Sequence, residues 1–290
     1  MHPYLFLFGH RIPTWSATLV ASFVAGSLVS YRSLRALQRR GVRISTTHEP
    51  GSVELAIEIW GITLAALVVG LGGARLAHVA EDSPFTWLSQ LRESGVSGPR
   101  NVLGGLILAS GAIWWRVRSL HWRASVVADG AIGGVLVAYG IGRLGCHLAG
   151  DGCWGQPATR QGWLFACDYV HAVAGAPGHP VLPTSLWEAA IAGSAGVGLA
   201  LLGRRAGTPG AVWWLGVGVL GVERFFIEFV RVNHRFGVGA LALTQAQFVS
   251  LFLTALAAAM LLRLAPRRRN STESIPLRGP ATGGPRPGGA

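Results

Sequence analysis

Arg143, Cys146, His147, Asp151 and Cys153 crowd into IGRLGCHLAGDGCWG, Ile141 to Gly155, among glycines at the end of an apolar segment. Arg143 and His147 are four residues apart, so a helix presents them on one face. One further helical turn brings Asp151 to nearly the same side, while Gly150 and Gly152 fit a helix end there equally well. On another apolar segment Arg224, Glu228 and Arg231 stand at i, i+4 and i+7, the spacing of an ion-paired ladder on one helix face. Arginines from two helices that face one space are suited to holding a phosphate through planar, bidentate hydrogen bonds. Ionisable groups are expensive at membrane depth and mark candidate functional sites. If the flanking segments lie in a bilayer, the phosphate at hand belongs to a phospholipid headgroup.

Composition supports that condition. Half of the 290 residues are apolar and 13% are charged, against about 25% charged in an ordinary soluble domain; the mean hydropathy is +0.42. The apolar residues fall into blocks near Thr14–Leu34, Leu55–Ala80, Val102–Val117, Val126–Ala149, Thr184–Leu202, Ala211–Val232 and Thr244–Leu264. Most approach the roughly 20 residues that cross about 30 Å of hydrocarbon as a helix. The expected fold is therefore all-α, a polytopic membrane protein of about seven transmembrane helices over residues 1–265. The proline-, glycine- and arginine-rich stretch 266–290 is expected to be a disordered cytoplasmic tail.

All 25 basic residues are arginine, and they alternate between connections. Arg35, Arg39, Arg40 and Arg43 follow the first block, Arg118 and Arg123 the third, Arg204 and Arg205 the fifth, and Arg267 to Arg269 the last. The other connections are poorer in arginine, which puts the amino terminus outside and the carboxyl terminus in the cytoplasm. The net charge of +12 is then a signal of topology and of anionic lipid. No arginine stripe with interleaved aromatics is present, so nucleic acid is not an expected partner.

This orientation gathers the intramembrane polar residues at one level on the outer side: Arg75 at the end of the second block, Gly104 and Gly105 in the third, Gly142, Arg143, Gly145 and His147 in the fourth, Glu188 in the fifth, and Glu223, Arg224, Glu228 and Arg231 in the sixth. The paired glycines leave room for an acyl chain or serve close helix packing. Arginine near a helix end commonly snorkels to the headgroups, Glu228 is as readily a structural ion pair as a catalytic group, and Glu188 could order a helix end or contact substrate. Cys153 and Cys167 fall in one outer connection, where a disulfide could persist or both could stay unpaired. Cys146, His147 and Cys153 lack the usual zinc spacing, so no metal and no cofactor is expected.

At these residues the chain resembles the bacterial prolipoprotein diacylglyceryl transferases. The resemblance runs through GARLAHV at Gly73 to Val79, GGLI at Gly104 to Ile107, Asp129, GRLGCHLAGDGCWGQPAT at Gly142 to Thr159, PTSLWEA at Pro183 to Ala189, RFFIEFVR at Arg224 to Arg231 and the TQAQFVSL segment before the last helix. It spans roughly residues 10 to 265. It implies transfer of a diacylglyceryl group from phosphatidylglycerol to the lipobox cysteine of a prolipoprotein, in the bacterial inner membrane with the site toward the outer side. Arg143 and Arg224 would bind the lipid phosphate and His147 would help deprotonate the thiol. Asp151 joins the catalytic set, and Gly104, Gly105, Gly142, Gly145, Glu188, Glu228, Arg231 and Arg75 the substrate-binding set. The chain departs from the family pattern at Ser16, Leu103, Cys146, Asp151 and Leu182, where tyrosine, histidine, asparagine, glutamate and histidine are usual. Those departures leave open a relative with another acceptor or no activity, or a membrane protein that binds or transports an anionic lipid or solute.

Overall fold

The computed structural model describes residues 4–7, 10–82, 102–158, 165–204, 207–232, 236–238 and 241–265. The connection 83–101 and the basic tail 266–290 lie outside the described residues. Seven long helices run along the described chain: α1 (Thr14–Arg39), α2 (Ser52–Asp82), α3 (Val102–Ser119), α4 (Ala124–Ala149), α5 (Thr184–Gly203), α6 (Ala211–Ile227) and α7 (Gln245–Leu264). Each corresponds to an apolar block, so the helical class holds. Five of the seven, α1, α2, α4, α5 and α7, are long and apolar enough to cross a membrane. Two antiparallel hairpins, β1 (Tyr4–Leu7) with β2 (His10–Pro13) and β3 (Phe236–Val238) with β4 (Leu241–Leu243), were not evident from the apolar pattern.

Small residues set the helix contacts. A Cβ on Gly134 of α4 would lie 2.4 Å from the Gly26 carbonyl oxygen of α1, and one on Gly133 would lie 2.7 Å from the Ala200 amide nitrogen of α5. Without a hydrophobic drive between helices in lipid, such close backbone approach supplies packing attraction. Helix α4 is thereby held between α1 and α5, with its polar carboxyl end beside both. Leu34 and Leu37 at the end of α1 pack with Val126 and Val127 at the start of α4, Leu55 of α2 and Trp122. This apolar cluster closes the bundle end remote from His147.

Asp129 of α4 has a task in this packing. Its carboxylate accepts from the Gly210 amide at 2.6 Å and the Trp213 amide at 2.8 Å, capping the amino terminus of α6 from a neighbouring helix. Gly210 itself is left-handed, with φ of 92°, and has no side chain to cap with. Asp129→Asn should weaken this cap and lower stability by about 1 kcal/mol, read as a lower thermal midpoint in detergent with little change in the intrinsic activity of the folded fraction.

Two boundaries depart from the expected spans. The sixth block, read to Val232, yields a helix that stops at Ile227, with Glu228 as its C-cap. Beyond it the backbone turns to pair with the α4–α5 connection: the Gln156 amide donates to the Val230 carbonyl at 2.8 Å, and Gly155 bridges Arg231. The uninterrupted ladder through Arg231 therefore breaks after Glu228, because backbone pairing replaces the last helical turn. The fourth helix ends at Gly150, left-handed at φ of 65°, so Asp151 stands beyond the helix.

Candidate active site

Helices α4, α5 and α6 and the turn that follows α6 bring three arginines to one carboxylate. Glu188, fully buried one turn into α5, pairs with Arg143 of α4, with Arg224 of α6 at 2.9 Å and with Arg231 at 3.7 Å. Glu228, also buried, approaches Arg224 at 2.9 Å and Arg231 at 3.9 Å. Tyr139, one turn before Arg143, donates its hydroxyl to Glu188 at 3.3 Å. The buried Glu223 carboxyl also interacts electrostatically with Glu188, Arg143 and Arg224. Arg143, Arg224 and Arg231 are mostly buried but retain some exposure, whereas the carboxylates between them do not. Arg143 Nε and Arg231 Nε and Nη1 are buried without a hydrogen-bond partner among the described residues, so guanidinium N–H groups remain for an anion.

Beside this cluster α5, α6 and α7 form an open cavity of about 660 Å³ lined by Trp187, Ile191, Val219, Glu223, Phe226 and Ala258 among others. Trp187 and Glu223 adjoin Glu188 and Arg224 in sequence, so the apolar cavity begins where the charged cluster ends. An anion site next to an apolar groove suits an amphiphile with an anionic head and an alkyl tail.

The remaining expected residues divide. His147 lies on the α4 face next to the α4–α5 connection, where its Nδ1 meets the Tyr169 hydroxyl at 2.9 Å; Tyr169 is buried and also stacks with Trp154 at 4.9 Å between ring centroids. That contact fixes the ring and leaves Nε2 as its second polar atom. Arg75 is buried on α2, while the cluster around Glu188 is built by the other three arginines. Gly104 and Gly105 serve helix packing: a Cβ on Gly104 would lie 2.1 Å from the Ala77 Cβ and one on Gly105 2.7 Å from the Gly70 carbonyl. The space they were expected to leave for lipid is filled by α2. Gly145 likewise faces Thr18 of α1 at 2.1 Å from a built Cβ, whereas Gly142 meets only Ser22 at 3.8 Å. Gly145→Ala should therefore destabilise the α1–α4 contact by about 1 to 3 kcal/mol and Gly142→Ala should be near neutral, a difference read by thermal unfolding of the two variants side by side. The side chain of Leu103 lies outside the described residues.

Of the two expectations for Cys153 and Cys167, the unpaired one holds. All three are free thiols. Cys167 hydrogen-bonds through its backbone to Val181 at 2.9 Å. Cys153 turns the other way, toward Cys146: left-handed Gly150 and Gly152, at φ of 65° and 90°, fold the chain back over the last turn of α4. The Cys153 amide donates to Asp151 Oδ1 at 3.1 Å, which holds the carboxylate against the same turn. Donor atoms of Cys146, Asp151 and Cys153 all lie within 4.8 Å of one another. The third member of the group is Asp151 and not His147, and the glycine turn brings it in.

Fold and site together define an all-helical protein, with five described helices long and apolar enough to cross a membrane, in which three arginines gather on one buried carboxylate. The sequence model described as prolipoprotein diacylglyceryl transferase matches residues 3–263, and the chain belongs to that family. It is 27% identical over 203 residues to phosphatidylglycerol–prolipoprotein diacylglyceryl transferase 2 of Clostridium perfringens, covering 68% of this chain and 75% of that protein. It is 28% identical over 275 residues to phosphatidylglycerol–prolipoprotein diacylglyceryl transferase of Dehalococcoides mccartyi, covering 94% and 97%. The protein of the same name from Geobacter sulfurreducens is 25% identical over 270 residues, 89% of this chain and 94% of the relative.

Proposed function

We propose that this chain transfers the diacylglyceryl group of phosphatidylglycerol to the lipobox cysteine of a prolipoprotein, forming a thioether and releasing glycerol phosphate. The observation that carries the reading is the convergence of Arg143, Arg224 and Arg231 on Glu188 beside an apolar cavity, in a chain of this family. The phosphodiester sits against the guanidinium edges and an acyl chain enters the cavity between α5, α6 and α7. As the thiol sulfur attacks the glycerol carbon, the carbon–oxygen bond to phosphate breaks and charge gathers on the leaving phosphate. Preorganised guanidiniums aimed at that oxygen stabilise the developing charge, commonly the largest single catalytic contribution. Arg143 and Arg224 take this role, Arg231 adds to phosphate binding, and Glu188 and Glu228 orient all three. His147, oriented by Tyr169 through Nδ1, has Nε2 to accept the thiol proton.

The seven helices cross the bacterial inner membrane with the amino terminus outside and the site toward the outer leaflet. Supporting this orientation, Arg32, Arg35 and Arg39 at the carboxyl end of α1 and Arg204 just after α5 line one surface recess, at the bundle end remote from Arg231 and Asp151. Trp114 and Trp115, both exposed on α3, suit an interfacial belt.

Ala258 lines the cavity and is exposed, so Ala258→Trp fills space without displacing core packing. It should raise KM for long-chain phosphatidylglycerol about tenfold and leave turnover of a short-chain analogue unchanged in micelles. The reading as a whole is tested by complementation of a cell depleted of its own transferase: growth and lipidated prolipoprotein are expected. Correct insertion without lipidation would favour capture of an anionic lipid without turnover.

A further inference from the structure

Cys146, Asp151 and Cys153 have no part in holding the lipid phosphate, yet they stand beside it. Cys146 and Arg143 share α4, and the Arg143 guanidinium interacts electrostatically with both sulfurs. The Cys153 carbonyl accepts from the Thr184 hydroxyl at 3.0 Å, which ties the turn to α5 one turn before Glu188. Two thiols and a carboxylate, with donor atoms within 4.8 Å of one another, form a small sulfur–oxygen ligand set whose soft members select a borderline-soft divalent ion over magnesium or calcium. Asp151 is exposed and the cysteines are half-buried, so an ion reaches the cluster from the outer face.

We infer that Cys146, Asp151 and Cys153 bind one zinc-class divalent cation, and that the acceptor thiol of the transfer reaction becomes its fourth ligand. The three anionic donors and the dication sum to one negative charge, which faces the Arg143 guanidinium. A tetrahedral ion with three protein ligands has one position for an exchangeable ligand, and a thiol that coordinates there loses its proton. This supplies the thiolate in a chain whose family usually has histidine at the position of Leu103. The balance is simple: the acceptor sulfur binds the ion and gives up its proton to His147 Nε2, then the sulfur–carbon bond forms as the carbon–oxygen bond breaks. The bonding pair leaves on the phosphate oxygen, and the product phosphate monoester takes up a proton. No oxidant or reductant enters. The ion site stands on its own geometry; its role in activating the acceptor rests on the transferase reading.

Zinc content of the untagged, detergent-purified protein, measured by elemental mass spectrometry after dialysis against a weak chelator, tests the site. About one ion per chain is expected in the parent protein and in Cys167→Ser, and background levels in Cys146→Ser, Cys153→Ser and Asp151→Asn. Asp151→Asn alters an exposed side chain, so its loss of metal is not a folding effect. Reconstitution with cobalt(II) should give a thiolate charge-transfer band, and a lipobox peptide should shift the visible bands where its Cys→Ser version does not. A parent protein without metal, retention of metal by the variants, or a Cys146–Cys153 disulfide by intact-mass analysis overturns the site. Metal binding with no spectral response to the thiol peptide overturns the activation role. A spectral response without thioether formation would instead contradict the transferase reading and leave the metal site standing.

Discussion

Replacing Arg143 by alanine is expected to lower kcat/KM for diacylglyceryl transfer by about 100- to 1,000-fold, the usual cost of removing one preorganised donor from a site where charge develops. Arg143 is the arginine whose helix also carries Cys146 and His147, and its ion pair with Glu188 is buried on the carboxylate side. The guanidinium is therefore fixed, and a ligand phosphate meets it without reorganisation. Arg143→Lys should recover only a minor part of the loss, because an ammonium offers a point charge where a planar fork binds two oxygens. Steady-state transfer to a lipobox peptide in mixed micelles reads both variants. Equal activity of the lysine variant and the parent would show that bidentate geometry at this position is irrelevant.

Glu188→Ala carries the second large effect, and it acts first on stability. The side chain is completely buried and shared by Arg143, Arg224 and Arg231. Removing it leaves three guanidiniums facing one another with Glu228 as the remaining carboxylate among them. Loss of one partner from a buried ion-pair network costs about 3 to 5 kcal/mol, and transfer should fall with it because all three arginines lose their orientation. Glu188→Gln keeps the shape and one acceptor while losing the charge, so it should be intermediate in thermal stability. A melting temperature for Glu188→Ala equal to that of the parent would contradict the assignment of this residue as the hub.

The seven helices were legible because each places roughly a span's length of apolar residues between arginine or glycine-proline connections. Helix ends were less so. The Arg224, Glu228, Arg231 spacing reads as one continuous face, and nothing local marks the change to backbone pairing with Gly155 and Gln156, which is a long-range contact. Glu188 was recognised as a candidate, but its central role depends on three arginines at the same depth. The applicable signal was charge matching: a carboxylate inside an apolar helix needs cationic partners. Tyr139 was missed although it stands four residues before Arg143, a spacing that predicts a shared face. Tyr169 had no such signal, since it comes from an irregular connection. The glycines at Gly104, Gly105 and Gly145 look alike in sequence whether they admit lipid or a neighbouring helix, and here they admit helices. The cysteine and aspartate cluster crosses a helix end through two left-handed glycines, so no helical or strand period reveals it.

The most direct measurement of the central claim uses vesicles containing phosphatidylglycerol with one label in its acyl chains and another in its headgroup glycerol, incubated with the purified protein and a lipobox peptide. The acyl label is predicted to move into a thioether on the peptide cysteine while the headgroup label appears in free glycerol phosphate, one for one, and Arg143→Ala is predicted to suppress both. Saturable binding of the lipid with both labels retained in phosphatidylglycerol would contradict it.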